Sequence, residues 1–170
     1  MKNPFLTHVF KKKLGASINI MPEDPNSLHD IIKLAAEKNC KLHFPVDYRV
    51  SHTAEMNNPA AMKIMAENED VPEKDQTFDI GPESEKIFDE VISRAGSIFW
   101  NGPMGVIEVE HFRKGSEGIL NSMIKATKTG TSTIIGGGDS ASLVSKLGVE
   151  EKLSFVSTGG GATIELFEGK

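Results

Sequence analysis

The stretch that decides the fold is residues 131–141, TSTIIGGGDSA. A β-branched apolar run, Thr133 to Ile135, stops at three consecutive glycines, and Asp139 follows them. Apolar residues then recur at helical spacing as far as Leu147. This pattern predicts a buried strand, a tight glycine turn and a helix that begins at the carboxyl end of the strand. Such a turn leaves unpaired backbone N–H groups at the positive end of a helix, where phosphate commonly binds.

Two further glycine turns follow predicted strands. The apolar run 97–100 (SIFW) leads into Asn-Gly-Pro-Met-Gly at 101–105. The run 153–156 (LSFV) leads into Ser-Thr-Gly-Gly-Gly at 157–161. Each turn therefore stands at the carboxyl end of a short apolar strand, as the first one does.

Amphipathic helices are predicted between and after these strands, over 112–128 and from 162 to about 167. Alternation of short apolar strands with helices predicts an α/β fold, a Rossmann-like three-layer α/β/α arrangement on a parallel sheet of about four strands. Because crossovers between parallel strands are right-handed, the three glycine turns are expected at one edge of that sheet.

The first part of the chain has a weaker pattern. A helical apolar face extends from Phe5 to Leu14 and is expected to end at Gly15. A second helix is predicted over 28–38, with Ser27 as its N-cap.

A short strand is predicted over 41–44, a short helix over 59–66 and a longer helix over 82–94. Asp47 comes directly after the predicted strand. It can belong to the ligand edge of a parallel sheet, or it can stabilise a turn.

The composition is that of an ordinary globular protein, with 38% hydrophobic and 25% charged residues among 170. The net charge of −5 argues against nucleic acid or an anionic membrane as the main partner. Cys40 is the single cysteine, which excludes a disulfide framework. No apolar run is long enough to span a bilayer and no signal peptide opens the chain, so a cytoplasmic protein is expected. The abrupt start indicates a piece of a longer protein.

Several polar residues at the turns have two interpretations each. Asp139 can cap the helix or hold Mg²⁺ beside phosphates, since a hard cation prefers carboxylate oxygen. Ser140 can donate to a phosphate or support the helix start. Asn101 can bind a nucleotide or serve its turn, and Glu108 can accept ribose hydroxyls or be solvated.

The spacing Gly136-x-Gly138-x-x-Ala141 also satisfies the dinucleotide pattern G-x-G-x-x-A. That pattern requires an acidic residue at the end of the next strand, which here ends in Ser157 and Thr158. Three successive glycine turns that can each bind an anion favour a mononucleotide polyphosphate over a dinucleotide as the ligand.

The motifs together resemble those of one family, phosphoglycerate kinase. The block WNGPMGVIE at 100–108 resembles its WNGPxGVFE signature, GGGDS at 136–140 its GGGDT/S turn, and STGGGA at 157–162 its STGGGA turn. The resemblance is nearly continuous from about Phe5 to the EGK at 168–170.

This resemblance implies that residues 1–170 are part of the carboxyl-terminal, nucleotide-binding domain, with the amino-terminal substrate domain absent. The family moves a phosphoryl group reversibly between 1,3-bisphosphoglycerate and Mg-ADP, giving 3-phosphoglycerate and ATP. A complete enzyme would be a monomer, whereas this piece is expected to be inactive alone and to self-associate. The alternative is a non-catalytic nucleotide-binding module.

The resemblance also implies roles for single residues. Glu108 would hold the ribose, Asp139 the Mg²⁺, and Val106 would pack against the base. Gly137 and Gly160 are the implied catalytic residues. Gly137 would offer its backbone N–H group to the phosphates, and Gly160 would present a helix start to the transferred phosphoryl group. The implied nucleotide-binding set is Asn101, Pro103, Val106, Glu108, Gly137, Gly138, Asp139 and Ser140. Two positions depart from the family pattern, since Ile107 replaces Phe and Thr77 stands where Gly is common.

Overall fold

The computed structural model describes residues 2–159, 161, 165 and 169. The chain folds as two units, Met1–Ser84 and Glu85–Lys170. No helix among the described residues has the length and apolarity needed to cross a membrane.

The first unit is built on an antiparallel sheet. A short helix α1 (Lys2–Pro4) continues into a π-helical turn (Phe5–Val9), and helix α2 is Ser27–Glu37. The three strands that follow are β1 (Asp47–His52), β2 (Lys63–Ala66) and β3 (Asp75–Ile80), in the order β2-β1-β3 with both pairings antiparallel. The core of this unit is formed by Leu6, Leu14, Tyr48, Val50 and Val71.

Asp47 has a structural role in this unit. Its carboxylate accepts the backbone N–H groups of Glu83 at 3.0 Å and Ser84 at 2.8 Å, and the Ser84 hydroxyl at 2.6 Å. These groups lie in the first turn of helix α3 (Pro82–Ile92), whose N–H groups have no partner within the helix. Asp47 is 4% exposed and caps that helix, so the structure supports the structural interpretation over a ligand edge.

The predicted helix from Phe5 to Leu14 is wrong beyond Val9. Lys11 has a left-handed backbone with φ of 56°, which ends helical geometry. Leu14 instead forms an isolated parallel bridge with Val71 and is buried. The apolar face is therefore used for packing without being a continuous helix.

The middle of the first unit also differs from the prediction. Residues 41–44 form no strand, and the first strand begins at Asp47. The predicted helix over 59–66 is a 3-10 turn, Pro59–Ala61, followed by strand β2. The backbone N–H and C=O groups of Lys63–Ala66 make their hydrogen bonds by pairing with β1, so these residues do not need a helix to pair them.

Helix α2 is confirmed within one residue at each end, but its cap is not. The N-cap position is Asn26, without a side-chain cap bond, and the Ser27 hydroxyl donates to the Asp24 carbonyl at 2.6 Å. The predicted apolar stripe is largely exposed, since Leu34 is 53% exposed and only Leu28 is buried.

The second unit contains the parallel sheet. Its strands are β4 (Ser97–Asn101), β5 (Ser132–Gly136) and β6 (Phe155–Val156), in the order β4-β5-β6 with both pairings parallel. Helix α4 (Lys114–Lys128) joins β4 to β5, and helix α5 (Gly138–Leu147) joins β5 to β6. Both helices contact β5, the central strand.

This arrangement confirms the Rossmann-like α/β fold. The parallel sheet has three strands among the described residues rather than the four expected, because 41–44 form no strand. The predicted last helix, from 162 to about 167, lies outside the described residues except for position 165.

The core of the second unit lies between the sheet and these helices. Met123 of α4, Ile135 of β5 and Val144 of α5 are each fully buried. One buried hydroxyl, that of Thr133, is 2.7 Å from the Thr127 hydroxyl and also accepts the Ser154 N–H at 3.1 Å. Thr133 thus bonds strand β5 both to helix α4 and to the residue directly before β6.

Candidate functional site

The carboxyl ends of the three parallel strands meet at one edge. Asn101, the last residue of β4, is in register with Gly136, the last residue of β5. The Ser157 N–H, directly after β6, donates to the Ile135 carbonyl at 2.9 Å. The expectation that the glycine turns share an edge is therefore confirmed for the turns after β4, β5 and β6.

The turn after β5 is shaped so that only glycine fits at its centre. Gly137 has φ of 92° and ψ of 142°, a backbone that side chains rarely adopt. A Cβ on Gly137 would lie 2.6 Å from Asn101 Oδ1. Gly138 differs, since a Cβ there would meet nothing within 4 Å.

Helix α5 begins at this turn with its amide donors pointing out of the helix. Gly137 is the N-cap, and as a glycine it has no side chain that could make a cap hydrogen bond. The first N–H groups of a helix have no carbonyl partner inside it, and they carry the positive end of the helix dipole. The edge of the sheet therefore presents donors suited to an anion.

Asp139 lies in the first turn of α5 and is exposed. The interpretation of Asp139 as the N-cap is wrong, because Gly137 occupies that position and Asp139 makes no cap bond. Within the described part of the chain, no hydrogen bond or ion pair is found for this carboxylate. Its oxygens are therefore available to a hard cation such as Mg²⁺.

A cation at this place would need ligands beyond the protein. No group of three or more His, Cys, Asp or Glu side chains suited to a metal occurs among the residues that the structure describes. Mg²⁺ commonly binds through one or two carboxylates together with phosphate oxygens and water. A single carboxylate beside an anion site fits that mode of binding.

Ser140 is fully buried and connects two of the turns. Its hydroxyl oxygen accepts the Gly102 N–H at 2.9 Å, which ties helix α5 to the turn after β4. Ser140 is expected from the sequence to contact a phosphate or to support the start of its own helix, but the bond that the structure shows holds the turn after β4 instead. A serine hydroxyl can accept and donate at once, so phosphate contact through its proton stays a prediction.

Sequence reasoning did not identify Ser116, which holds the same turn from the other side. Its hydroxyl oxygen, fully buried in the first turn of α4, accepts the N–H groups of Met104 at 2.9 Å and Gly105 at 3.4 Å. The only available signal was a serine near a predicted helix start, which is common in proteins.

The remaining predicted residues lie along the segment that leaves this turn. Pro103 and Val106 are half-buried, and Glu108 is exposed on the turn that follows. The Val109 N–H donates to the Val106 carbonyl at 3.3 Å, which closes that turn. Gly160, predicted to face the transferred phosphoryl group, lies outside the described residues.

A cavity of about 600 Å³ opens on the β6 side of helix α5. Its walls include Gly138, Ala141 and Ser142 of the helix together with Phe155 and Thr158. Its volume is within the range of ligand pockets. Gly138 is the only residue of the predicted nucleotide-binding set among the described residues that line it.

Comparison with known proteins shows the family to which the chain belongs. A family model described as phosphoglycerate kinase matches residues 1–170. The chain belongs to the phosphoglycerate kinase family. This confirms the resemblance that the motifs at 100–108, 136–140 and 157–162 indicated.

Relatives in this family share a large part of the sequence. Over 166 residues the chain is 47% identical to a phosphoglycerate kinase of Dictyostelium discoideum, covering 98% of this chain and 39% of that protein. Over 169 residues it is 44% identical to one of Agaricus bisporus, covering 97% and 40%. The chain thus spans about two fifths of the length of these relatives.

Solved structures of the family match the fold. A phosphoglycerate kinase from Coxiella burnetii superposes with a TM-score of 0.87 at 31% identity, covering 99% of this chain and 42% of the other. One from Pyrococcus horikoshii gives 0.69 at 28% identity, covering 99% and 40%. The likeness extends over nearly all of this chain in both cases.

Proposed function

We propose that these 170 residues form the nucleotide-binding part of a phosphoglycerate kinase, within its carboxyl-terminal domain. The whole enzyme would transfer a phosphoryl group reversibly from 1,3-bisphosphoglycerate to Mg-ADP, giving 3-phosphoglycerate and ATP in glycolysis. Membership of the family supports the reaction class. The glycine turns and the helix start at the edge of the parallel sheet support nucleotide binding as the role of these residues.

The observation that carries the proposal is the exposed Asp139 carboxylate in the first turn of α5, beside N–H groups of the helix start that have no carbonyl partner inside the helix. Backbone N–H groups at Gly137 and Gly138 would donate to phosphate oxygens. Asp139 would hold Mg²⁺, which supplies positive charge to neutralise the phosphates. An anion site and a cation ligand in one helical turn match the charges of a Mg-nucleotide.

The turn after β4 would serve the other end of the nucleotide. Asn101 and Pro103 would line the site, Val106 would pack against the base, and Glu108 would accept the ribose hydroxyls. Phosphoryl transfer depends mostly on positioning and on neutralising charge, so residues of this kind contribute by holding the nucleotide in place. Gly160 would present the next helix start to the transferred group.

We also propose that these residues bind Mg-nucleotide without catalysing transfer by themselves. The matched relatives are about two and a half times as long, and the site for 3-phosphoglycerate would be in the part of the protein that this chain does not match. A coupled assay of ATP turnover with 3-phosphoglycerate is expected to give no rate above background with the 170 residues alone. Turnover by this chain would overturn that part of the proposal.

The central test is calorimetric titration of the chain with Mg-ADP, repeated with Asp139→Ala. Loss of a charged ligand costs about 1.5–3 kcal/mol, so the Kd is expected to rise about 10- to 150-fold. Asp30→Ala is the matched control, because Asp30 is also an exposed acid in the first turn of a helix, α2. That control is expected to leave the Kd unchanged.

Two results would contradict the proposal. Equal affinity of Asp139→Ala and the unmodified chain would remove Asp139 as the Mg²⁺ ligand. Absence of Mg-ADP binding to the unmodified chain would show that these residues do not suffice for a nucleotide site. Binding without turnover in the longer parent protein would instead favour the non-catalytic module.

A further inference from the structure

We infer that Ser116 is a positioning residue of the nucleotide site, which holds the turn after β4 in the shape that receives the base and ribose. This inference rests on the proposed function, and it concerns a residue that does not itself touch the nucleotide. The evidence is the set of hydrogen bonds that fixes residues 102–105.

Every backbone amide in this turn is accounted for by a side chain. The Gly102 N–H donates to the Ser140 hydroxyl at 2.9 Å, and the Met104 and Gly105 N–H groups both approach the Ser116 hydroxyl, at 2.9 and 3.4 Å. Pro103, between them, has no N–H group. Two serine hydroxyls from two different helices therefore hold the turn.

Burial makes these hydroxyls effective anchors. Ser116 and Ser140 are both fully buried. A buried hydroxyl that loses its partner, or a buried N–H that loses its acceptor, carries the full cost of desolvation. Water competes poorly for such bonds, so the turn is fixed before any ligand binds.

The helix start that carries Ser116 is itself well held. Phe112, two residues before α4, is fully buried. Arg113 Nε donates to Glu117 Oε1 at 2.7 Å. Burial acts to raise the pKa of Glu117, but the hydrogen bond from Arg113 and the charge of Lys114 outweigh it, so this pKa lies below its usual value. A charged pair thus stabilises the first turn of the helix.

The turn after β4 and the turn after β5 are proposed to bind different parts of the nucleotide, and this difference predicts the effect of removing the Ser116 hydroxyl. The turn held by Ser116 contains Pro103 and leads to Val106, which are proposed for the nucleoside, whereas the phosphates are proposed for the turn after β5. Removal of the Ser116 hydroxyl should therefore weaken binding of ADP and leave binding of a bare polyphosphate unchanged. A residue that only stabilises the unit would not separate these two ligands.

The experiment compares Ser116→Ala with Ser116→Thr, which keeps a hydroxyl. Ser122→Ala is the matched control, since Ser122 is also buried on α4 but its single hydroxyl proton is shared between the Asp89 carboxylate and the Gly118 carbonyl. Titrations use Mg-ADP and Mg-pyrophosphate. Hydrogen exchange of the Met104 and Gly105 amides is measured on each protein without ligand.

Ser116→Ala is expected to raise the Kd for Mg-ADP about tenfold, to leave that for Mg-pyrophosphate within twofold, and to speed amide exchange at Met104 and Gly105. Ser116→Thr should restore both properties, and Ser122→Ala should change neither. If amide exchange at Met104 and Gly105 is unchanged in Ser116→Ala, the claim that the Ser116 hydroxyl holds this turn is refuted. Faster exchange with equal losses for both ligands would overturn the positioning role.

The exchange measurement also separates this inference from the proposed function. If the unmodified chain binds no Mg-ADP while Ser116→Ala still loosens both amides, the anchor stands and the assignment of a nucleotide to this edge fails. The nucleotide-positioning role then fails with that assignment.

Discussion

Replacement of Gly137 by alanine should destabilise the protein while the same change at the next position should not. A side chain at φ of 92° and ψ of 142° occupies a sparsely populated region, at a cost of about 1–3 kcal/mol. The new Cβ would also lie 2.6 Å from Asn101 Oδ1. That oxygen is at the end of a side chain that can rotate away, so backbone strain should dominate the cost.

Urea unfolding followed by circular dichroism measures this difference. The free energy of unfolding should fall by about 1–3 kcal/mol in Gly137→Ala. Gly138→Ala is the matched control, because its Cβ meets nothing within 4 Å and alanine favours a helix start over glycine by about 1 kcal/mol or less. Combining Gly137→Ala with Asn101→Ala tests the cause, since strain should survive when the amide side chain is gone.

Equal stability of the Gly137→Ala and Gly138→Ala proteins would refute the account of the turn. Full recovery of stability in the Asn101→Ala background would refute the dominance of backbone strain. The contact with Asn101 would then be the main cost.

Two further predictions concern the first unit. Asp47→Ala removes the acceptor of the Glu83 and Ser84 N–H groups, so the free energy of unfolding should fall by about 1–3 kcal/mol in urea titrations. The exposed Glu90 on the same helix serves as the control, and an equal loss in Glu90→Ala would contradict the capping role. The pKa of Tyr48 is raised above its ordinary value of 10.0, first by burial and then by the charges of Glu67 and Asp47. Its contribution to stability is therefore complete below pH 10.0 and is lost as the pH rises above it, and since Tyr48 is the single tyrosine, tyrosinate absorbance of the folded protein should appear only well above that pH. Titration with an ordinary phenol pKa before unfolding would contradict this.

The parallel unit could be predicted from the sequence because its signals are local. Each strand of this unit is a short apolar run that ends at a glycine turn, and a helix of adequate length separates one from the next. The chirality rule then places all the turns at one edge without knowledge of distant contacts. The family was indicated by a separate signal, the resemblance of the residues at 100–108, 136–140 and 157–162 to the family's motifs.

The antiparallel unit could not be predicted because its strands depend on partners far away in the chain. Residues Lys63–Ala66 are mostly exposed and lack a clear alternation, so only pairing with β1 makes them a strand. The apolar residues up to Leu14 have the spacing of a helix. The left-handed backbone of Lys11, which ends the helix, does not alter that spacing and so could not be read from it.

Within the candidate site, residue types were predictable and hydrogen-bond partners were not. Asp139 had two interpretations that only the position of the N-cap separated. The signal for Ser116, a serine near a predicted helix start, does not show that its hydroxyl bonds to Met104 and Gly105 in another segment. A hydroxyl that serves a remote turn looks like any other serine near a helix start.

The single tryptophan and the single tyrosine fall in different units. Tyr48 is fully buried in the first unit and Trp100 is 5% exposed in the second. Indole fluorescence therefore follows one half of the chain and tyrosine absorbance the other, with no added label. Coincident curves in a denaturant titration would mean that the halves melt as one cooperative body, and separated curves would give each half its own midpoint.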